Sequence, residues 1–269
     1  ALGDASSAVV SPQAERRLGE AWLRMFRSQV RTVSDPLLTD YLEHVVFDLA
    51  EHSQLSDAQL KLVVVENPTI NAFAVPGGVM GIHNGLLLSA QHEDEMASVI
   101  AHELAHLSQR HFARGVEEAR ANAVPNMLAL LGSLVVAATA GGNAGMAAIT
   151  ATQAAIQQQQ LRFSRAHERE ADRIGMLTLV EAGYDAEGMP RMFSRMLESL
   201  RYAGQRPPEF LLSHPVTESR VADSQNRARN YADQGRVDSE DFQLMRARVQ
   251  LGFDETPAFA IKRFRAEIE

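Results

Sequence analysis

Cysteine is absent from this 269-residue chain. Disulfides and thiolate metal ligands are thereby excluded, and histidine and carboxylate side chains must hold any transition metal. A basic excess is also missing: 26 Lys and Arg stand against 34 Asp and Glu, a net charge of −8 with an isoelectric point near 5.6. Nucleic acid is therefore not expected as a partner. The chain opens Ala1-Leu2-Gly3-Asp4-Ala5-Ser6-Ser7, without an initiating Met or an apolar signal core. The expectation is a mature secreted chain, its signal peptide removed, or a chain trimmed at its start. Its length and 45% hydrophobic content suit a globular fold of one large or two small domains and argue against disorder.

A further absence is local, since residues 121–161 carry no charge. The most apolar part, 127–140, is 14 residues long, roughly 21 Å of helix against a hydrocarbon core of about 30 Å, too short to span a bilayer. A membrane-integral chain is disfavoured for that reason. Gly141-Gly142-Asn143 interrupts the pattern, and Ala, Thr, Gly and Gln follow. Two readings stand: a buried helical hairpin, or a mobile lid or peripheral membrane contact near a site.

Against these absences stands Ala101-His102-Glu103-Leu104-Ala105-His106, an H-E-x-x-H pattern in a helical stretch. Residues four apart share a helix face, so His102 and His106 can present two imidazole nitrogens to one zinc ion at about 2.0–2.1 Å. Glu103, one position round, is placed to accept a proton from the attacking water. Catalytic zinc usually takes three protein ligands. The extended motif with a third His fails here, because Gln109 stands for its Gly, Phe112 for its His, and His111 is one place out of register. The remaining option is a carboxylate on a second helix, and Glu168 with Asp172 at i, i+4 supplies it: Glu168 ligates while Asp172 accepts the second N–H of a ligand histidine. Glu170 points off that face. His92 and His111 read as ordinary polar helix-end residues.

The surrounding elements are an α-rich α+β set. Residues 11–31 and 36–52 read as amphipathic helices, the second opening at Ser34-Asp35-Pro36. Residues 60–65, 69–75 and 78–83 read as strands, with a turn at Pro76-Gly77-Gly78. The histidine-bearing helix starts near Glu93-Asp94-Glu95, acidic residues suited to a positive helix N-terminus, and Met96, Val99, Ile100, Leu104 and Leu107 seat it in the core. A helical C-terminal part follows the loop at Gln205-Arg206-Pro207-Pro208.

Several motifs fall in an order that resembles a known family: Asn71-Ala72-Phe73, Gly77-Gly78, Asn84-Gly85-Leu86-Leu87, His102-Glu103-x-x-His106, Ser164-Arg165-x-x-Glu168-x-x-x-Asp172 and His214-Pro215-x-x-x-x-Arg220. The resemblance is to the HtpX and CAAX-prenyl protease family of zinc metallopeptidases, nearest its periplasmic outer-membrane-assembly branch, over roughly residues 11–250. It implies a zincin-like fold over 1–238 and one Zn2+ per chain. It also implies endoproteolysis of misfolded or stalled outer-membrane proteins, with their assembly machinery as partner, in the periplasm. Asn71, Ala72 and Phe73 become a substrate-binding strand edge, where the residues alone leave open a hairpin that merely packs the core. His214 becomes either a hydrogen-bond donor to the oxyanion or a fourth metal ligand acting as a brake, and Arg220 a stabiliser of developing negative charge. Relatives of that branch carry a tetratricopeptide-repeat array, of which residues 239–269 are expected to be only the first helices. The competing expectation is a chaperone-like assembly factor whose zinc site is latent or structural.

Overall fold

The computed structural model describes residues 10–140, 142–202, 208–231, 235–236 and 238–268. The opening Ala1-to-Ser7 stretch, Gly141 and residues 205–207 of the Pro-rich loop lie outside them. Two capped helices begin the fold. The Ser11 side chain accepts from the Ala14 amide to start α1 (Pro12–Arg27), and Asp35 accepts from Leu37 and Leu38 to start α2 (Pro36–Glu51). Proline follows each cap, where its missing N–H costs nothing. The first helix stops at Arg27, short of the expected 31, because Ser28 caps it by donating to Met25 and Phe26 carbonyls.

Three short strands, β1 (Lys61–Val65), β2 (Ala72–Val75) and β3 (Val79–His83), form one sheet in the order β1-β3-β2. β2 and β3 are an antiparallel hairpin, turned at Gly77 and Gly78 with φ of 88° and 82°, values that L side chains rarely adopt. β1 runs parallel to β3. Its outer side is covered by the segment at 31–33, through Val33 N–H to Val64 O and Glu66 N–H to Arg31 O, both 2.9 Å. That leaves β2 as the uncovered edge, and it packs against the histidine-bearing helix.

After α3 (Gly85–Ser89) comes that helix, α4 (Glu93–Ser108), buried from Glu93 to Ala105 with no solvent face. It lies between α2, β2 and two later helices, α6 (Gly142–Glu181) and α7 (Gly188–Tyr202). The expected core residues Met96, Val99, Ile100 and Leu104 are buried, and Leu107 packs against the same cluster half-buried. The acidic start does more than meet the helix dipole, because buried carboxylates need partners. Glu93 accepts from Tyr41 Oη at 2.8 Å and Ser239 Oγ at 2.9 Å, Asp94 from Arg191 at 2.7 Å, and Glu95 from Arg195 at 3.0 Å. Both arginines stand on α7, so α4 is fixed in place along its axis.

Gly175 makes a close helix crossing possible. A Cβ there would stand 3.0 Å from the His102 backbone nitrogen, so α6 meets α4 beside the site. α6 pairs with α5 (His111–Ala140), which brackets the uncharged stretch as two long helices. Val124, Met127, Leu128 and Leu131 on α5 are more than half exposed. The buried-hairpin reading does not hold at these four residues, whose side chains stand in solvent. Among the described residues no helix is long and apolar enough to cross a membrane.

The chain closes with α8 (Glu209–Ser213), α9 (Glu218–Ala228), α10 (Glu240–Phe253) and α11 (Pro257–Ile268). Phe242 and Val249 seat α10 in the main core.

Candidate metal centre

Helix geometry brings the two histidines of α4 together as expected: His102 Nε2 and His106 Nε2 stand 3.1 Å apart. Glu168, on the α6 face turned to α4, lies 3.5 Å from His102 Nε2 and 3.4 Å from His106 Nε2. His214, at the end of α8, places Nδ1 3.0 Å from Glu168 Oε1. One donor atom from each of the four lies within 4.8 Å of the others. Ligands 2.0–2.1 Å from a shared centre in a tetrahedral array are roughly 3.4 Å apart, so the set suits one ion.

The hydrogen-bond inventory agrees. His102 Nδ1 faces Asp172 Oδ1 at 3.0 Å and His106 Nδ1 faces His111 Nδ1 at 2.9 Å. His106 therefore spends its δ nitrogen elsewhere, His102 points its own towards a carboxylate, and both turn ε nitrogens to each other, an arrangement that a shared cation resolves. Glu103 lies one residue along with its Oε1 buried and without a hydrogen-bond partner, 3.5 Å from His214 Nε2.

Charge in this site is set by competition between burial and pairing. Burial opposes a proton on His102, but Asp172 and Glu168 outweigh it and lift the imidazole to about 9. Burial prevails at His106, which falls to about 4. Glu168 is pushed up by burial, yet hydrogen bonding with His102, His106 and His214 holds it far below the carboxylate range. Asp172 is likewise held down against burial, by Arg220 and His102.

Arg220 is buried, with Nε 2.7 Å and Nη2 2.6 Å from the two oxygens of Asp172. Its Nη1 donates to Pro215 O at 2.8 Å and approaches Glu168 Oε2 at 3.1 Å. Three of its nitrogens are thus committed to protein oxygens around the ligands.

Two clefts reach the cluster. One, about 410 Å³, is lined by Phe73 and Ala74 of the edge strand together with Glu103, His106 and His214. The other, about 430 Å³, lies between α5 and α6, with Asn122, Asn126 and Gln159 leading to His106 and Glu168. Asn71 and Ala72 are not among the residues lining either cleft: Asn71 donates to Glu209 Oε2 at 3.2 Å, and Ala72 is buried.

A model of peptidase family M48 matches residues 36–228, most of the chain and every residue of this cluster. The chain belongs to peptidase family M48. It is 37% identical to the beta-barrel assembly-enhancing protease of Shigella flexneri, over 92% of this chain and 50% of that protein. To the protein of the same name in Yersinia pestis it is 34% identical, over 94% of this chain and 52% of the relative. The mitochondrial metalloendopeptidase OMA1 of Schizosaccharomyces pombe is 30% identical over 68% of the chain and 51% of its own length. The chain thus spans about half the length of these curated relatives.

In this M48 chain His102, Glu103, His106, Glu168, Asp172, His214 and Arg220 converge on one centre. His92 stays apart, half-exposed at the start of α4 and 2.9 Å from Asp238. His111 does not stay apart: it is buried against His106, with Nε2 3.1 Å from Glu170 Oε2. Its reading as an ordinary helix-end residue is corrected. The cause is Arg110, whose φ of 51° turns the chain sharply between α4 and α5. Glu170 is not among the clustered donors, as expected, and its carboxylate backs His111.

Proposed function

We propose that the chain is a zinc-dependent endopeptidase of the periplasm, acting on unfolded or misassembled outer-membrane polypeptides. The observation that carries the chemistry is the partnerless Glu103 carboxylate oxygen beside a two-His, one-Glu ligand set. The substrate class rests on the relatives named for beta-barrel assembly enhancement.

His102, His106 and Glu168 would hold the ion, which when bound polarises the scissile carbonyl and makes the attacking water more acidic. Glu103 takes the proton from that water and passes it to the leaving amine. Asp172 fixes the His102 ring and tautomer. Arg220, tied to Asp172, Pro215 and Glu168, acts as a positioning residue; its committed N–H groups favour this over donation to an oxyanion. The uncovered edge at Phe73 and Ala74 supports binding of an extended polypeptide by strand addition. Clefts on both sides of the cluster support cleavage within a chain rather than at its end.

His214 sits within the ligand set, which supports the braking role over the oxyanion role and a resting site held closed. That same closure favours the second reading, an assembly factor with a latent zinc site. The exposed apolar stripe of α5 supports a peripheral contact with a membrane surface.

The test is metal content together with cleavage of an unfolded β-barrel polypeptide. Stoichiometric zinc is expected, with hydrolysis about 10²–10⁴-fold lower in Glu103→Gln and raised in His214→Ala. Zinc without cleavage in any form would select the assembly-factor reading, and absence of bound metal would end both.

A further inference from the structure

The two histidines of α4 are supported differently. His102 turns its Nδ1 to a carboxylate, Asp172, whose Oδ1 is 3.0 Å away, with Arg220 behind it. His106 has no carboxylate at its Nδ1. It meets the ring of His111 there, at 2.9 Å.

The proton positions along this second chain follow from elimination. His106 turns Nε2 to His102 and Glu168, so when that nitrogen carries a ligand bond the ring hydrogen is on Nδ1. His111 Nδ1 must then accept, which puts the His111 hydrogen on Nε2. Nε2 faces Glu170 Oε2 at 3.1 Å, and a carboxylate can only accept. The same oxygen accepts from Arg114 Nη1 at 2.7 Å. Every step has one donor and one acceptor, running from His106 through His111 to Glu170, with Arg114 anchoring the end. The His111 ring is held flat against His167, centroids 4.1 Å apart and planes 13° from parallel.

We infer that His111 is a positioning residue for the metal centre: its imidazole, aligned by Glu170, selects the tautomer and angle in which His106 offers Nε2. Both ligand histidines then end in an arginine-anchored carboxylate, one reached directly and one through an imidazole spacer. The inference rests on the metallopeptidase reading above.

Substitution separates this role from mere packing. Asparagine at 111 puts a carbonyl oxygen near the place of Nδ1 and can still accept from His106, whereas leucine fills similar space and cannot. Zinc affinity should fall about 10- to 100-fold in His111→Leu and return to within a few-fold of native in His111→Asn. The visible spectrum of the cobalt-substituted protein should shift in the leucine variant alone. Equal zinc affinity in His111→Leu and the native chain, or equal losses in both variants, would overturn the inference. Should His111→Leu not fold, Glu170→Ala serves instead: it removes the oxygen that accepts from both His111 and Arg114, so zinc binding should weaken, and unchanged affinity would count against the relay. A native chain that binds no zinc refutes the metallopeptidase reading instead, so the two failures are distinguishable.

Discussion

Arg220 was expected to stabilise developing negative charge, and its contacts favour a positioning role instead. As an oxyanion donor it would need free N–H groups aimed into the cleft, but its guanidinium forks onto Asp172 and reaches Pro215 and Glu168. It also lies over the Phe193 ring, 4.9 Å from its centroid. Deleting one partner of such a buried pair leaves the other charge uncompensated, at a cost of about 3–5 kcal/mol. Arg220→Ala in the metal-free protein should therefore show that loss in urea unfolding. Lysine should not rescue it, since a single ammonium cannot match two carboxylate oxygens. An unchanged urea midpoint with hydrolysis abolished would return Arg220 to the oxyanion. At this scale the ligand histidines, Glu168 and Asp172 were legible because helix periodicity alone fixes which of them share a face. His111 was not, because its return to His106 depends on a left-handed arginine, and no rule of residue type favours arginine there. His214 and Arg220 could be singled out only by family resemblance, for they reach the site from a loop and a separate helix.

Among the elements, the crossing of α4 and α6 decides whether the ligands meet, and Gly175 sets its distance. A β-carbon there would stand 3.0–3.1 Å from the backbone of Ala101 and His102, closer than packed atoms accept without movement. In Gly175→Ala the better helix propensity of alanine, about 1 kcal/mol, offsets much of that crowding. Gly175→Val has no such balance and should destabilise by about 1–3 kcal/mol. Glu168 lies two turns away on the same helix, so zinc affinity should fall with stability. Thermal unfolding and zinc titration check both, and a valine variant indistinguishable from native would show that the crossing has slack. The helices themselves could be read from caps and prolines, and the β2–β3 hairpin from its glycine turn. The parallel pairing of β1 with β3 could not, since it is fixed by packing between segments with an intervening strand. Nor could the exposure of Val124, Met127, Leu128 and Leu131: lack of charge reports what a helix can bury, and tertiary structure decides what covers it.

For the whole molecule, the α+β class and the meeting of the Glu168 helix with the histidine helix were legible, while the closing of α8 on the same point was read only through resemblance. The ligands come from three separate parts of the chain: α4, α6, and the end of α8. An ion held by all three binds the folded chain and not the open one, so its binding free energy adds to folding stability. At a free zinc concentration about a thousand times Kd, the gain is about 4 kcal/mol. For a chain of this size that corresponds to a melting temperature higher by on the order of 10 °C. Removing zinc with a chelator should lower the melting temperature by that amount, and restoring zinc should recover it. In His214→Ala the zinc-dependent increment should shrink but persist, because α4 and α6 still share the ion. It should vanish in Glu168→Ala, where the tie between those helices is cut. Scanning calorimetry of the three proteins with and without zinc measures this directly. An increment in Glu168→Ala as large as native would mean that the stabilising ion binds elsewhere on the chain.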